Sequence, residues 1–300
     1  MLPNGSIRPS RLFGHGCNWH SKLLASRRVA EALRILTSGE KSMRCRICQE
    51  PTARFADALI LKKYPATYFR CAACGFVQLE EPIWIEEAYS HAISRLDVGI
   101  MQRNVTCTDI TSALIRLIAP NARHFLDFGG GHGTLVRMMR DRGFDFRWQD
   151  AYAQNLHARG FEHKDGMHYN LVVAFEVLEH LVSPLDDIAK MMNLGDTVFV
   201  STLLLPEPPP QPDEWWYYAL GSGQHISLYS LRSLEFIARK FDRHLVSDGA
   251  FHLFTRKPVS RFAFHLATRP KVAGFLRPFL HRPSLTQADF ESMANERDRG

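Results

Sequence analysis

Short apolar runs alternate with amphipathic stretches through the middle of the chain. Residues 125–128 and 169–175 are apolar runs of the kind that a strand covered on both faces needs. Residues 109–119 instead repeat apolar side chains at i, i+3/i+4 and i+7 and are followed by Pro120, which indicates a helix. Because strands that alternate with helices form parallel sheets, the pattern predicts an α/β fold.

A glycine-rich turn, Leu-Asp-Phe-Gly-Gly-Gly-His-Gly at residues 126–133, joins the first of these strands to a helix. Asp127 closes the strand, while Gly129, Gly131 and Gly133 allow positive φ and let a ligand approach bare backbone. Turns of this type bind NAD, FAD or S-adenosylmethionine, and some are only tight connections. The turn alone leaves the ligand open.

Two more acidic positions follow predicted strands. Asp150 ends the strand at residues 144–150, close to the ~20-residue offset at which a carboxylate binds both ribose hydroxyls. Phe175 and Glu176 end the run at 169–175 and begin Phe-Glu-Val-Leu-Glu-His-Leu. The alternatives are a helix N-cap for Asp150 and a hydrogen-bonded strand-end carboxylate for Glu176.

The glycine turn, the acidic end of the second strand and Phe-Glu-Val-Leu-Glu-His-Leu together resemble class I S-adenosylmethionine-dependent methyltransferases over roughly residues 109–257. The resemblance implies a Rossmann-like methyltransferase sheet of seven strands, with residues 195–202 as its fifth strand. It assigns six residues to the cofactor S-adenosylmethionine: Asp127, Gly129, Gly131, Asp150, Phe175 and Glu176.

In that family the two glycines line the methionine portion of the cofactor. Asp127 is expected to orient the ammonium group, and Asp150 to hold the ribose. Phe175 and Glu176 are expected at the floor of the site.

Two Cys-x-x-Cys pairs separated by 22 residues precede this region. Four thiolates at this spacing suit one tetrahedral, structural zinc ion, so the sequence predicts a small N-terminal zinc ribbon. A thioredoxin-type redox motif would need one pair at a helix start, and disulfides would need an oxidising compartment. The four predicted ligands are Cys45, Cys48, Cys71 and Cys74.

The chain of 300 residues is long enough for one α/β core and a small module. We predict five segments: an N-terminal extension (1–42) that is disordered or a non-native start, the zinc ribbon (43–85), lid and linker helices (86–120), the class I methyltransferase domain (121–258) and a basic C-terminal tail (259–300). An organellar presequence is the alternative for the extension.

The net charge of +6 is concentrated at the two ends. Residues 1–42 and 256–300 carry +5 each, which leaves −4 for residues 43–255. A mildly acidic middle argues against nucleic acid as a partner. The basic, apolar tail could rest on an anionic membrane surface or on the protein's own sheet, and no stretch is apolar enough to span a membrane, so a cytoplasmic location is expected.

The acceptor side of the site has three candidate bases: His225, His180 and Tyr89. Methyl transfer needs alignment and a group that removes the acceptor proton, for which His or Tyr is suited. His225 ranks first, because it lies in the region after the fifth strand that shapes acceptor pockets. The proline-rich segment 205–218, which ends in four aromatic residues, lies there too, as an acceptor platform or as a lid packed on the domain.

A zinc ribbon ahead of a class I domain resembles the zinc-binding methyltransferases of sugar and polysaccharide pathways, and implies a sugar, nucleotide-sugar or glycan-pathway hydroxyl or carbon as acceptor. Those sugar C-methyltransferases carry a further large C-terminal domain, which does not appear here. Quinone and other small-molecule O-methyltransferases share Glu-Val-Leu-Glu-His but have no ribbon. An RNA methyltransferase and a catalytically degenerate scaffold are further alternatives, and the sequence leaves the oligomeric state open.

Overall fold

The computed structural model describes residues 43–89, 97–280 and 282–297. The predictions for the extension, residues 1–42, lie outside the described residues, as do those for residues 90–96 of the lid segment and the last three residues of the tail.

The cysteine-containing segment forms an antiparallel sheet. Strands β1 (Thr52–Ile60) and β2 (Tyr64–Cys71) form a hairpin, and β3 (Val77–Leu79) pairs with β2. Both central residues of the hairpin turn, Leu61 and Lys62, have positive φ, as the tight turns of twisted hairpins require. The two Cys-x-x-Cys pairs flank this hairpin.

Two helices connect this sheet to the larger one. Helix α1 (Ile85–Ala88) is a single turn, and α2 (Ile100–Ile118) is a long helix whose second half is buried. The predicted helix at 109–119 is therefore the buried half of α2, which ends just before Pro120 because proline cannot continue the hydrogen-bond ladder.

The larger sheet contains six strands within the described residues: β4 (His124–Phe128), β5 (Asp145–Gln149), β6 (Tyr169–Phe175), β7 (Gly195–Ser201), β9 (His244–Ser247) and β10 (Phe251–Thr255). Their order in the sheet is β5-β4-β6-β7-β10-β9. Strands β4 to β7 are parallel, and β10 runs antiparallel to β7 and β9. The short strand β8 (Ser227–Leu228) pairs instead with β3, so the two sheets are built from both halves of the chain.

The expectation of seven strands is not met in the described residues. The chain between β5 and β6 makes only a single parallel bridge, between Trp148 and Glu162. Side chains hold the backbone elsewhere in this segment, since Asp150 accepts from the amides of Tyr152 and Ala153. Such local side-chain hydrogen bonds compete with a strand ladder, which reduces the missing strand to one bridge.

Helices cover both faces of the six-stranded sheet. One face packs against α2, α3 (Thr134–Asp141) and the C-terminal helices, and the other against α4 (Pro184–Leu194) and α5 (Leu231–Lys240). The cysteines of the first sheet belong to the same buried cluster as α4 and α5.

The C-terminal tail packs on the protein itself. It forms α6 (Arg261–Ala267), α7 (Pro270–Leu280) and α8 (Thr286–Arg297), and α6 and α7 bury apolar side chains against α2. Arg277 on α7 binds Asp109 on α2 through both carboxylate oxygens. None of the helices that the structure describes is long and apolar enough to cross a bilayer.

Candidate active site

The glycine turn lies where β4 ends and α3 begins. Gly129, Gly131 and Gly133 all have positive φ, at 72°, 53° and 83°. A Cβ on Gly129 would lie 2.7 Å from Val177, whereas a Cβ on Gly131 would meet no described atom within 4 Å. Gly129 is therefore required by packing, and Gly131 presents bare backbone to open space, as a ligand-binding turn needs.

Two carboxylates stand beside this turn. Asp150, just after β5, accepts a hydrogen bond from the Gly131 amide at Oδ2 (2.9 Å), while its Oδ1 accepts from the amides of Tyr152 and Ala153. Asp127 is buried under the turn, and burial together with the charge of Asp150 raises its pKa to about 8. The carboxylate of Asp150 thus links the glycine turn after β4 to the segment that follows β5.

Glu176 follows the last residue of β6, Phe175, in a strained conformation with φ of 53°. Its amide donates to Ser201 Oγ at 2.9 Å, and that hydroxyl donates back to Glu176 Oε1 at 2.7 Å. Burial and the nearby Glu179 raise the pKa of Glu176 to about 7. Positive φ at a non-glycine residue is costly and is found where surrounding structure imposes it, often at functional sites.

Glu179 lies one turn further along, in a short 3-10 helix (Leu178–His180), and is fully buried. Its Oε1 accepts from the hydroxyl of Tyr217 at 2.8 Å, but Oε2 has no hydrogen-bond partner among the described residues. Burial raises the pKa of Glu179 to about 7. A buried carboxylate with one unsatisfied oxygen is costly unless a proton or a cation compensates it.

The two candidate histidines lie in contact with each other. The rings of His180 and His225 meet edge to face, with centroids 4.9 Å apart. His180 Nδ1 is 3.0 Å from the carbonyl of Gln224, and His225 Nδ1 is 2.6 Å from the carbonyl of Tyr217. Because a carbonyl only accepts, each Nδ1 carries the proton and each neutral ring presents the lone pair of Nε2.

Burial keeps both rings neutral. It lowers the pKa of His180 to about 4 and that of His225 to about 3, the latter with a contribution from His180. Both histidines are therefore available at neutral pH as proton acceptors or as metal ligands.

Tyr89, the third predicted base, connects the two parts of the site. Its ring stacks on Tyr152 at a centroid distance of 5.2 Å and meets His180 edge-on at 6.2 Å. Tyr152 follows Asp150 in the chain, so the aromatic contacts run from the glycine-turn side to the histidines. Burial raises the pKa of the Tyr89 hydroxyl, which makes it a poorer base than either imidazole.

The sequence left two alternatives for the aromatic segment after β7, an acceptor platform or a lid packed on the domain, and two of its residues are packed into the protein. Trp216 is exposed, but Tyr217 and Tyr218 are buried. The Tyr217 hydroxyl also contacts Thr202 Oγ1 and accepts from the Leu203 amide. The sequence analysis did not single out Glu179, and it considered Tyr217 only as a member of the aromatic run. Glu179 had a signal, since it is the second glutamate of Glu-Val-Leu-Glu-His, whereas Tyr217 had none beyond its place in an aromatic run.

The four predicted zinc ligands come together at the hairpin ends. Their ligand atoms all lie within 4.8 Å of one another, with Sγ–Sγ distances of 3.5 Å for Cys45 and Cys74 and 3.4 Å for Cys48 and Cys71. Disulfide sulfurs would be about 2.05 Å apart. Zn–S bonds of about 2.3 Å in a tetrahedron place sulfurs roughly 3.8 Å apart, so the four thiols fit zinc and not disulfides.

A comparison with known protein families identifies the type of domain that contains the glycine turn and the histidines. Residues 101–247, just under half of the chain, match the family model described as "Methyltransferase domain". The chain carries a methyltransferase domain. This match covers the glycine turn, the Glu-Val-Leu-Glu-His segment and both histidines, and confirms the prediction of an S-adenosylmethionine-dependent methyltransferase enzyme. No curated protein matches the sequence.

Solved structures similar to the methyltransferase domain are distant. An O-methyltransferase family protein from Burkholderia thailandensis is 15% identical with a TM-score of 0.42, over 54% of this chain and 58% of that one. Magnesium protoporphyrin IX methyltransferase from Synechocystis PCC 6803, with bound SAM, is 14% identical (TM-score 0.36, 59% and 93%). Human N-acetylserotonin methyltransferase in complex with SAM is 14% identical (TM-score 0.40, 60% and 60%). The chain thus spans little more than half of the Burkholderia protein, and no acceptor follows from these matches.

Proposed function

We propose that this enzyme transfers the methyl group of S-adenosylmethionine to a small-molecule acceptor, a sugar, nucleotide sugar or glycan-pathway hydroxyl or carbon. The observation that carries the proposal is the aromatic link from Tyr152 beside the glycine turn, through Tyr89, to the pair His180 and His225. It joins a nucleoside-binding turn to groups able to take a proton, which are the two parts that methyl transfer needs.

The cofactor is proposed to bind over the glycine turn. Gly129 and Gly131 would line its methionine portion, and the open space above Gly131 supports this placement. Asp127 would face the ammonium group and Asp150 the ribose, while Phe175 and Glu176 would form the floor. Asp150 already accepts three backbone amides, so it would also keep the turn in shape for the ligand. When bound, the cofactor supplies the electrophilic methyl group.

The acceptor is proposed to bind on the histidine side, with His225 Nε2 as the acceptor of its proton. The Nδ1 bond to the Tyr217 carbonyl holds this ring with Nε2 unprotonated. His180 and Tyr89 are the neighbouring candidates, and their contacts with each other place them to orient His225 or the acceptor.

A sugar-like acceptor is supported by the polar lining of this side of the site. Glu176 and the two histidines, which are only partly buried, offer hydrogen-bond partners, and Trp216, close to His225 in the sequence, offers an exposed, flat apolar surface. Sugars are bound by such combinations of polar groups and aromatic faces. The acidic central part of the chain gives no electrostatic support for RNA.

The four cysteines are proposed to bind one structural zinc ion. Their cluster packs into the core beside Phe76 and Tyr229, remote in the chain from the glycine turn. Thiolates that hold zinc fit a reducing compartment, so we place the enzyme in the cytoplasm.

Calorimetry with S-adenosylmethionine, followed by methyl-transfer assays on a panel of nucleotide sugars, sugars and quinols, tests the proposal. We expect binding of the cofactor by the wild-type protein and transfer of labelled methyl to a sugar-containing acceptor. Absence of cofactor binding by folded protein would support the scaffold alternative, and transfer to quinols alone would replace the sugar assignment.

A further inference from the structure

A second possible metal-binding cluster lies in the proposed acceptor region. One ligand atom from each of Glu179, His180 and His225 lies within 4.8 Å of the other two. The three residues come from the 3-10 helix after β6 and from the segment just before β8, so the cluster depends on the tertiary fold. We propose that Glu179, His180 and His225 bind a divalent transition-metal ion.

The orientation of the two rings favours metal binding. Each imidazole donates its Nδ1 proton to a backbone carbonyl, of Gln224 for His180 and of Tyr217 for His225. This is the usual outer contact of a metal-bound histidine, because it fixes the ring and leaves Nε2 as the ligand atom.

The carboxylate provides an independent observation. Glu179 is fully buried, and its Oε2 lacks a hydrogen-bond partner among the residues described. Its Oε1 is held by the Tyr217 hydroxyl, which fixes the position of the group. A positioned carboxylate with one free oxygen beside two unprotonated imidazole nitrogens is the ligand set of two-histidine, one-carboxylate metal sites.

The charge of the surroundings points the same way. Glu176 lies close enough to Glu179 for the two carboxylates to interact through their charges. Among the described residues, Arg103 is a cation whose charge reaches this cluster, and it is paired with Asp97 at 3.0 Å. Two neighbouring buried carboxylates whose nearby arginine is already paired favour a bound divalent ion.

The ligand atoms would draw together when an ion binds. Bonds of about 2.1 Å in a tetrahedron place ligand atoms roughly 3.4 Å apart, and the three atoms here lie within 4.8 Å of one another. Three protein ligands leave coordination positions open. The ion would then select an acceptor whose oxygen atoms can bind it. While the ion is bound, His225 Nε2 is a ligand, so His225 acts as the proton acceptor only in the metal-free protein; this role rests on the proposed function, whereas ion binding does not.

Zinc content of the purified protein tests the inference. Protein prepared without chelators is incubated with Zn²⁺, freed of unbound ion by gel filtration and measured by elemental analysis. We expect two zinc ions per chain in the wild type and in His157→Ala, a control at an exposed histidine, but one in Glu179→Gln and in His225→Ala. One zinc ion in the wild type, unchanged by both cluster variants, overturns the proposal.

A titration of wild-type protein avoids any dependence on the folding of the variants. With the cysteine site already filled, calorimetric titration with Zn²⁺ should show one further site, and its absence contradicts the proposal. Titration with S-adenosylmethionine separates the two hypotheses: cofactor binding without the second zinc ion refutes only the metal site, and zinc binding without cofactor binding refutes only the proposed function.

Discussion

The ring of His225 contacts the ring of His180 edge to face at a centroid distance of 4.9 Å, although the two residues come from opposite sides of β7 in the sequence. Their Nδ1 atoms are both committed to backbone carbonyls, so their Nε2 atoms are the reactive positions. In the function that we propose, this pair sets the chemistry of the acceptor side of the enzyme. Substitutions of His225, His180 and Tyr89 therefore test which of these residues accepts the proton.

Replacing His225 with alanine should lower kcat by about 10²–10⁴-fold, because the group that accepts the acceptor proton is lost. Cofactor affinity should change little, since His225 contacts Tyr217 and His180 and not the glycine turn. Turnover and calorimetric affinity are measured for His225→Ala, His180→Ala and Tyr89→Phe. Near-normal turnover in all three would mean that the enzyme works by alignment alone.

Short motifs in the sequence place three proposed site residues at one edge of the sheet. Asp127 lies near the end of β4, Gly131 follows β4 and Glu176 follows β6, and the carboxyl ends of parallel strands meet at one edge of a sheet. The contact between Tyr89 and Tyr152 could not be predicted, because it depends on how the segment after the ribbon folds back onto the sheet.

The missing seventh strand is a second feature that could not be predicted from the sequence. Residues 150–168 replace it with local hydrogen bonds, including the one that the Ala158 amide donates to Asn155 Oδ1 at 2.9 Å. Competition between side-chain and ladder hydrogen bonds is decided by geometry that apolar patterning does not report. The pairing of β3 with β8 could not be predicted either, because a strand of two residues is too short to show an alternating pattern of apolar and polar side chains.

Replacing Gly131 with valine should abolish measurable cofactor binding while the protein still folds. The substituted side chain would occupy the open space above the turn, and no described atom lies within 4 Å to clash with its Cβ. Gly166→Val is the matched control, because Gly166 also has positive φ and open space but lies in an exposed turn. Calorimetry is the measurement, and equal affinities for the two variants would refute the placement of the cofactor.

Replacing Cys71 with serine should remove zinc and destabilise the N-terminal sheet. Cys71 is fully buried and its sulfur lies 3.4 Å from that of Cys48, so its loss opens the coordination shell. Elemental analysis and thermal unfolding measure both effects. Cys107→Ala, at a buried cysteine on α2 outside the cluster, should keep its zinc, and a wild-type protein free of zinc after chelator-free purification would contradict the site.

Replacing Asp289 with asparagine should loosen helix α8 from the domain. Asp289 accepts from Arg140 at 2.6 and 2.8 Å and from Arg137 at 2.9 Å, and the Arg140 and Asp289 side chains are nearly buried. Removing one partner of a buried ion pair costs up to about 3–5 kcal/mol of unfolding free energy, and less here because Asp145 still pairs with Arg140. Glu291→Gln, an exposed change on the same helix, is the control in urea unfolding.

The same ion pair predicts loss of stability in acid. Burial alone would raise the pKa of Asp289, but the hydrogen bonds and charges of Arg140 and Arg137 lower it below the usual 3.8. A carboxylate with a lowered pKa in the folded state stabilises the fold above the unfolded pKa, and this contribution is lost as pH falls through the folded value. The wild type should therefore lose more stability than Asp289→Asn below about pH 3.8; parallel curves would contradict the assignment.

The last prediction concerns Asp127, whose pKa shifts in the opposite direction. Burial and the charge of Asp150 raise its pKa from 3.8 to about 8, so the folded, cofactor-free enzyme holds a proton there that the unfolded chain releases. Stability contributed by this proton is complete below the unfolded pKa and declines as pH rises towards 8.

Asp127→Asn keeps the shape of the side chain and cannot titrate, so it should reduce the slope of unfolding free energy against pH by up to about 1.4 kcal/mol per pH unit. Asp165→Asn, at an exposed turn, is the matched control. Urea unfolding of the cofactor-free protein between pH 5 and pH 8 measures the difference. Residual slope is expected from Glu176 and Glu179, whose pKa values burial also raises, but identical slopes for Asp127→Asn and the wild type would mean that Asp127 is ionised beneath the glycine turn even without a ligand.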